Sequence, residues 1–359
     1  MLRKLTGFIV EKRNLINNFY AKALYLSPGE YAFDGSIKYI MKLEQANTKK
    51  ASEMLQGNLY RNGFVKRSVN LIKILLFNRK LIIPDHEGCL EEFKGTVYLP
   101  AGSSNGYCNV KIFDMERRKV LSILSNPKDY QVVIDNYLYF KPFFPLPNIT
   151  WMDEDRLLMM EEMVTFHPKK AWVDRDFLLV FEKVAELYQN YFFICKQEGR
   201  YNMLTPLDMI SSLPQVPEVM DEKNKISPEL LVSFMPCLKL HGDLWTANSL
   251  LDKENEQIYL IDWEFSHTLL FFYDMMHIMW IEYFTDQNIF YIEKYFNGEY
   301  DSYFCSMFAN FDLPFNPELR VDYFRIFFLC FYGHRLIHFS AESRSLYLKQ
   351  YKRLLERFS

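Results

Sequence analysis

The texture of polar and apolar positions changes at Thr96. Before it, apolar residues cluster at Leu15–Tyr20, Ile37–Met41 and Val69–Leu76 between polar stretches, and residues 1–90 are predicted mostly helical. After it, segments alternate and are rich in β-branched and aromatic residues. GTVYLP predicts a strand, AGSSNG (Ala101 to Gly106) a small-residue loop, YCNVKIFD a second strand, MERR a turn and KVLSILS a third strand. Pro127 to Tyr139 then reads as a helix, and RLLMMEEMV (Arg156 to Val164) as a fourth or fifth strand.

Beyond Val164 the period lengthens. AWVDRDFLLVFEKVAELYQNYFFICKQ carries an apolar residue every three or four positions and predicts a long amphipathic helix. ISPELLVSFMP predicts another, capped at Ser227 with Pro228 in its first turn. Short β segments return in CLKLHGDLW, NSLLD and IYLIDWE, the last two joined by the polar turn KENEQ, and residues 265–359 read as helical. The expected fold class is therefore α+β. A small β-rich N-lobe with hinge (93–164) precedes a larger helical C-lobe (165–359), behind a basic, mostly helical N-terminal extension (1–92).

Composition narrows the class. The chain has 359 residues, 49% hydrophobic and 17% aromatic, enough for a large core in two lobes. No run of 18 apolar residues exists. The greasiest stretch, Leu269 to Trp280, is interrupted by Asp274 and His277, so no spanning helix is expected. The start lacks the apolar core and cleavage site of a secretory signal. Six scattered cysteines without a CxxC pair fit a reduced, cytoplasmic setting. Net charge is −3, yet residues 1–80 hold 15 Lys+Arg against 5 Asp+Glu, a surplus of +10 that leaves −13 on the rest. A basic arm on an acidic body suits peripheral contact with an anionic membrane or another polyanion, or packing on the body itself; nucleic acid is not an expected partner.

The chemistry gathers in His241-Gly242-Asp243-Leu244-Trp245-Thr246-Ala247-Asn248, with Asp262 following fourteen residues after Asn248 at the end of a strand. Phosphoryl transfer needs one carboxylate to orient the acceptor hydroxyl and take its proton. It also needs oxygen ligands to hold Mg²⁺ against the phosphates. A loop followed by a hairpin returns the chain to where it left, and so can gather Asp243, Asn248 and Asp262.

HGDLWTANSLL followed by LIDWE resembles the catalytic and metal-binding loops of the aminoglycoside phosphotransferase and choline kinase superfamily, the small-molecule branch of the protein-kinase-like fold. The resemblance implies a bilobal kinase-like fold that binds ATP and Mg²⁺. Asp243 is implied as catalytic base, with Asn248 and Asp262 as magnesium ligands. The Trp after HGDL is also similar to fructosamine kinases, although Ala247 stands where those usually have Gly. Glu264 and Trp263 are candidates for substrate contact or support of the site. Asp274 matches a family Asp that braces the catalytic loop, and His241 is expected to be structural. Position in the fold implies that the backbone around Glu162 and Met163 meets the adenine, with Met159 or Met160 lining its pocket. Gly102 and Gly106 stand where phosphates are cradled.

One departure stands out. Kinases place a Lys late on the third strand, facing the α/β-phosphates and a helix Glu. Here Ile123 or Leu124 takes that place, and the following helix offers Asp129 and Asp135 in place of Glu; Lys111, Lys119 and Lys128 are the nearby cations. Two readings follow. One is an active phosphotransferase acting on a hydroxyl of a small molecule or glycan, with Trp263, Tyr273, Trp280, Glu282 and Tyr283 as candidates for a cation–π acceptor site. The other is a weak or inactive pseudokinase that binds nucleotide as a scaffold.

Overall fold

A computed structural model of the protein describes residues 2–34, 38–44, 49, 51, 54–55, 80–86, 90, 93–101, 109–211 and 217–358. The chain divides into two compact units: Met1–Tyr139 with Leu146–Ala171, and Phe140–Pro145 with Trp172–Ser359. The first unit thus ends at Ala171, and residues 140–145 group with the second unit.

The first unit is built on an antiparallel sheet. Its strands are β1 (Gly29–Phe33), β2 (Ile40–Lys42), β3 (Leu81–Ile83), β4 (Val97–Ala101), β5 (Asn109–Asp114), β6 (Lys119–Ile123), β7 (Ile149–Asp153) and β8 (Leu158–Glu162), in the order β3-β1-β2-β4-β5-β6-β8-β7. Alternation along β4, β5 and β6 sends Tyr98, Ile112 and Leu121 to one face and Val97, Phe113 and Val120 to the other, so both faces are buried. Helix α1 (Leu2–Ala21) lays Leu15, Ile16 and Phe19 on the first of these faces. Helix α2 (Pro127–Phe140) links β6 to β7.

Among the described residues of the first ninety, the structure differs from expectation in the strands. The helix at the start is present, but Ile40 and Met41 lie in β2, and β1 to β3 extend the sheet of residues 97–162. An apolar cluster of five residues is too short to separate a period of 3.6 from a period of 2. The cluster Val69–Leu76 lies outside the described residues.

The second unit is mainly helical. Helix α3 (Asp174–Glu198) buries Val180, Phe181, Val184, Tyr188, Tyr191, Phe192 and Cys195 along one stripe. Asp176 starts it by accepting the Val173 N–H at 3.0 Å, and Gly199 ends it in the left-handed region. A second sheet, β13-β10-β9, joins β9 (Asn202–Leu204), β10 (Met235–Leu240) and β13 (His267–Leu270), while β11 (Ser249–Asp252) and β12 (Gln257–Leu260) form a hairpin. Then come α4 (Tyr273–Asp286), α5 (Arg320–His334) and α6 (Ala341–Phe358), with shorter helices between. Two expectations are corrected here. The helix at ISPELLVSFMP is a single turn, Pro228–Leu231, and the Ser227 side chain does not cap it. The region after 265 opens with a strand, because residues 267–270 pair with β10.

Candidate active site

The site grows from the end of β10. Antiparallel pairing with β13 matches Leu240 to His267, and the chain then turns sharply through His241 and Gly242. Gly242 has φ +75, and a Cβ there would lie 2.3 Å from the Phe265 carbonyl oxygen. Only glycine lets the loop after β10 and the loop after β12 come this close.

Buried partners hold this turn from below. The Asp274 carboxylate at the start of α4 accepts the N–H groups of His241 (2.8 Å) and Gly242 (3.0 Å) and the Tyr188 hydroxyl (2.6 Å). Asp274 is fully buried, and burial pushes its pKa up to about 6 against the lowering by those three donors. His241 Nε2 donates to the Ile261 carbonyl at 2.8 Å, while its Nδ1 accepts the Asp243 N–H at 3.3 Å. Burial lowers the His241 pKa to about 4, so the ring is a neutral strut joining the two loops.

The hairpin completes the arrangement. β11 and β12 pair Ser249 with Leu260, and the next rung is the Ile261 N–H donating to the Asn248 carbonyl at 3.0 Å. That rung sets Asn248 beside the strand end that carries Asp262. The Asn248 amide nitrogen donates to the Asp243 carbonyl at 2.8 Å, which assigns its side-chain oxygen to the opposite side of the amide. Asp262 is left-handed (φ 63, ψ 55), a conformation Asp tolerates better than most residues. Its charge is close enough to Asp243 to raise that carboxyl's pKa.

Asp243 itself is 22% exposed and has two cation-capable neighbours. Arg335 Nη2, from just beyond α5, lies 3.1 Å from Oδ1, and its guanidinium stacks on the Phe265 ring with 3.9 Å to the centroid. His277 Nε2, on α4, lies 3.8 Å from the same oxygen, and its Nδ1 donates to the Leu244 carbonyl at 2.7 Å. Burial lowers the His277 pKa to about 3, so this imidazole is neutral. For Asp243, burial is the leading effect and moves its pKa up to about 6; Arg335 opposes the rise and Asp262 adds to it.

The geometry therefore brings Asp243, Asn248, Asp262 and Asp274 into one neighbourhood with His241. An amide oxygen and a carboxylate on adjacent strand ends suit a hard divalent cation. Among the described residues no group of three His, Cys, Asp or Glu could hold a metal ion. An ion held by Asn248 and Asp262 would thus complete its shell from phosphate and water oxygens, as Mg²⁺ commonly does.

Other expected site residues fall elsewhere. Trp263 is buried, donates Nε1–H to the Leu260 carbonyl and packs on Phe140 and His241, so it supports the loop from beneath. Tyr273, Trp280, Glu282 and Tyr283 are buried in the helical core and offer no open cation–π surface. Thr246 is hydrogen-bonded to Glu282 within that core. Glu264 is exposed. In the first unit, the Glu162 N–H donates to Asn148 O at 2.9 Å and the Met163 N–H to Arg118 O at 2.8 Å. Met159 and Met160 are buried, the latter in the sheet core. Ile123 and Leu124 are likewise buried core, and Lys111 sits opposite Ser122 on the neighbouring strand. Gly102 and Gly106 lie outside the described residues.

Comparison with known proteins bears on this same stretch. Residues 210–305 match the family described as "Phosphotransferase enzyme family". The resemblance read from the motif stands. The match includes Asp243, Asn248, Asp262 and Asp274 and ends before Arg335. Among solved structures, the choline kinase LicA from Streptococcus pneumoniae aligns at 14% identity over 71% of this chain and 92% of its own, with a TM-score of 0.41. A macrolide 2'-phosphotransferase type I aligns at 16% over 70% and 90% (TM-score 0.43). A thermostable mutant of an aminoglycoside phosphotransferase aligns at 13% over 74% and 95% (TM-score 0.46). No curated protein matches the chain. No helix among the described residues is long and apolar enough to cross a membrane.

Sequence reasoning missed Arg335 and His277. Both carried a signal of one kind: each is a polar interruption in a strongly apolar stretch, His277 in LLFFYDMMHIMW and Arg335 in RIFFLCFYGHRLIHF. A buried polar group needs a partner: Arg335 finds one in the Asp243 carboxylate, and His277 in the Leu244 carbonyl.

Proposed function

We propose that the protein is an ATP-dependent phosphotransferase that moves the γ-phosphoryl group to a hydroxyl of a small molecule or glycan. The observation that carries this reading is the convergence of Asp243, Asn248 and Asp262 through the Asn248–Ile261 rung and the Asn248–Asp243 bond. Asp243 is the base. It takes the acceptor's proton as the acceptor O–P bond forms and the bond to the β-phosphate oxygen breaks, releasing ADP. Its environment, raising the pKa to about 6, leaves it ionised at neutral pH yet more basic than a solvated Asp. Asn248 and Asp262 are the residues that would hold Mg²⁺, which when bound neutralises phosphate charge. Asp274, Tyr188 and His241 fix the loop so that Asp243 needs no rearrangement to act.

A second reading is favoured by one observation. The third-strand position that carries a Lys in kinases is occupied here by buried Ile123 and Leu124, which suits a nucleotide-binding scaffold with weak or no turnover. Measuring ADP release from MgATP across a library of alcohols and sugars separates the two. Turnover that disappears in Asp243→Asn and Asp262→Ala supports the enzyme. A thermal shift with MgATP but no turnover with any acceptor supports the scaffold, and no shift with ATP or MgATP ends both.

A further inference from the structure

We propose that Arg335 is the residue that selects the acceptor, favouring an alcohol that carries an anionic group, carboxylate or phosphate, close to the hydroxyl that is phosphorylated. This inference rests on the reading of Asp243 as the base. Arg335 lies outside the stretch that matches the phosphotransferase family.

Three observations carry it. First, the guanidinium is fixed in place: Nη2 is 3.1 Å from Asp243 Oδ1 and Cζ lies over the Phe265 ring, 3.9 Å from its centroid. A stacked, paired guanidinium is pre-organised, so little freedom is lost when it takes a further partner. Second, a donor remains unused. Arg335 Nη1 is buried without a hydrogen-bond partner, although guanidinium geometry offers a fork suited to planar oxyanions. Third, the neighbours on this side are imidazoles. His277 faces Asp243, and His334, stacked on His267 at 5.0 Å, holds a buried Nε2 that also lacks a partner. His277 and His334 are both neutral, His277 with its one N–H spent on the Leu244 carbonyl, so they add no negative charge on this side. The carboxylates nearby are Asp243 and Asp262, one assigned to the acceptor hydroxyl and the other to the metal.

An acceptor must bring its hydroxyl to Asp243, and therefore brings neighbouring substituents up to Arg335. An ammonium there meets a fixed positive charge, whereas a carboxylate or phosphate meets a guanidinium that still has an unpaired donor at Nη1. Because Arg335 occupies Oδ1, Oδ2 is the oxygen that takes the proton. Arg335 thus acts on Asp243 as a positioning residue and on the acceptor as a specificity residue.

The test uses the full-length protein with MgATP and matched acceptors: glycerol, glycerate, glycerol 3-phosphate and ethanolamine, then glucose, glucuronate, glucose 6-phosphate and glucosamine. Within at least one series, kcat/KM for an anionic member is expected to exceed that of the ammonium member by at least 10-fold. Glycerate or glucuronate against the phosphate esters tells carboxylate from phosphate. Arg335→Met should erase the preference mainly through KM for the anion and lower kcat for every acceptor. Arg335→Lys should restore part of the preference, as a merely structural role would not. Calorimetry with inorganic phosphate gives a readout free of turnover, with binding weakened at least 10-fold in Arg335→Met and partly kept in Arg335→Lys. A preference for the ammonium acceptors, or phosphate binding that is absent or indifferent to Arg335, overturns the proposal while phosphotransfer stands. Arg335-dependent phosphate binding with no ADP release from any acceptor sinks the phosphotransferase reading and leaves the anion site.

Discussion

The segment around Asp243 in the second unit and the β6–β8 segment of the first unit use their polar groups in opposite ways. Around Asp243 each element is fixed by side chains: one buried carboxylate gathers three donors, and one neutral imidazole ties two loops. Around β8 the backbone does the fixing, with the amides of Glu162 and Met163 spent on Asn148 and Arg118 and the late β6 positions given to core packing. Under the proposed function, the contrast teaches that phosphoryl-transfer chemistry demands particular side chains at particular places, whereas holding a nucleotide demands only backbone and shape. The first constraint writes itself into sequence and the second does not.

The comparison can be broken at its strong end first. Asp243→Asn should lower ADP formation by 10²–10⁴-fold, the usual worth of a positioned base. The melting temperature should stay near that of the parent, because only one oxygen of Asp243 is paired. A drop in activity matched by global unfolding would show that the residue is architectural.

Asp274→Ala should do the reverse, acting on stability before activity. It strands two backbone N–H groups and the Tyr188 hydroxyl in a fully buried place, a loss of about 3–5 kcal/mol. Urea unfolding would register this as a lower midpoint at unchanged slope. Gly242→Ala belongs beside it, since its methyl would sit 2.3 Å from the Phe265 carbonyl in a left-handed residue. A loss of about 2–3 kcal/mol is expected from the combined clash and backbone strain.

Acid should weaken the second unit with a defined sign. His241 and His277, lowered to about 4 and about 3 by burial, are neutral when folded and gain protons on unfolding below pH 6.5. Their contribution is present above 6.5 and fades as pH falls. Asp243 and Asp274, raised to about 6, work against this below pH 6, since the folded chain binds their protons first. His334, lowered to about 4, adds to the first group. The balance favours the imidazoles, for a net loss on the order of 1 kcal/mol per unit between pH 7 and 5. Unfolding midpoints at pH 7, 6 and 5 would show it, and a rise in stability over that range would mean the rings are charged in the folded chain.

Much of this architecture was legible beforehand, for reasons that differ by residue. The strands at Val97, Asn109, Lys119 and Leu158 alternate with two buried faces, and the α3 stripe repeats over many turns, so each period had length enough to declare itself. β7 stayed hidden because its residues are half-buried or exposed and follow two prolines. β13 was hidden inside a run too apolar to show any period. Asp243, Asn248 and Asp262 stood out because their spacing is dictated by a hairpin. Arg335 comes from a distant helix end, and no local spacing could link it to Asp243; that link is made by tertiary packing alone.

The rung between Asn248 and Ile261 has one more consequence. It seals the hairpin at its base, so that the exposed tip from Glu254 to Glu256 lies beyond the knot and carries none of the strain of the chemistry. A short glycine-serine segment or a reporter peptide spliced between Asn255 and Glu256 should therefore shift stability by no more than about 0.5 kcal/mol and leave turnover unaltered. That tip is a natural handle, a place where the molecule can be labelled, tethered or watched without disturbing what it does.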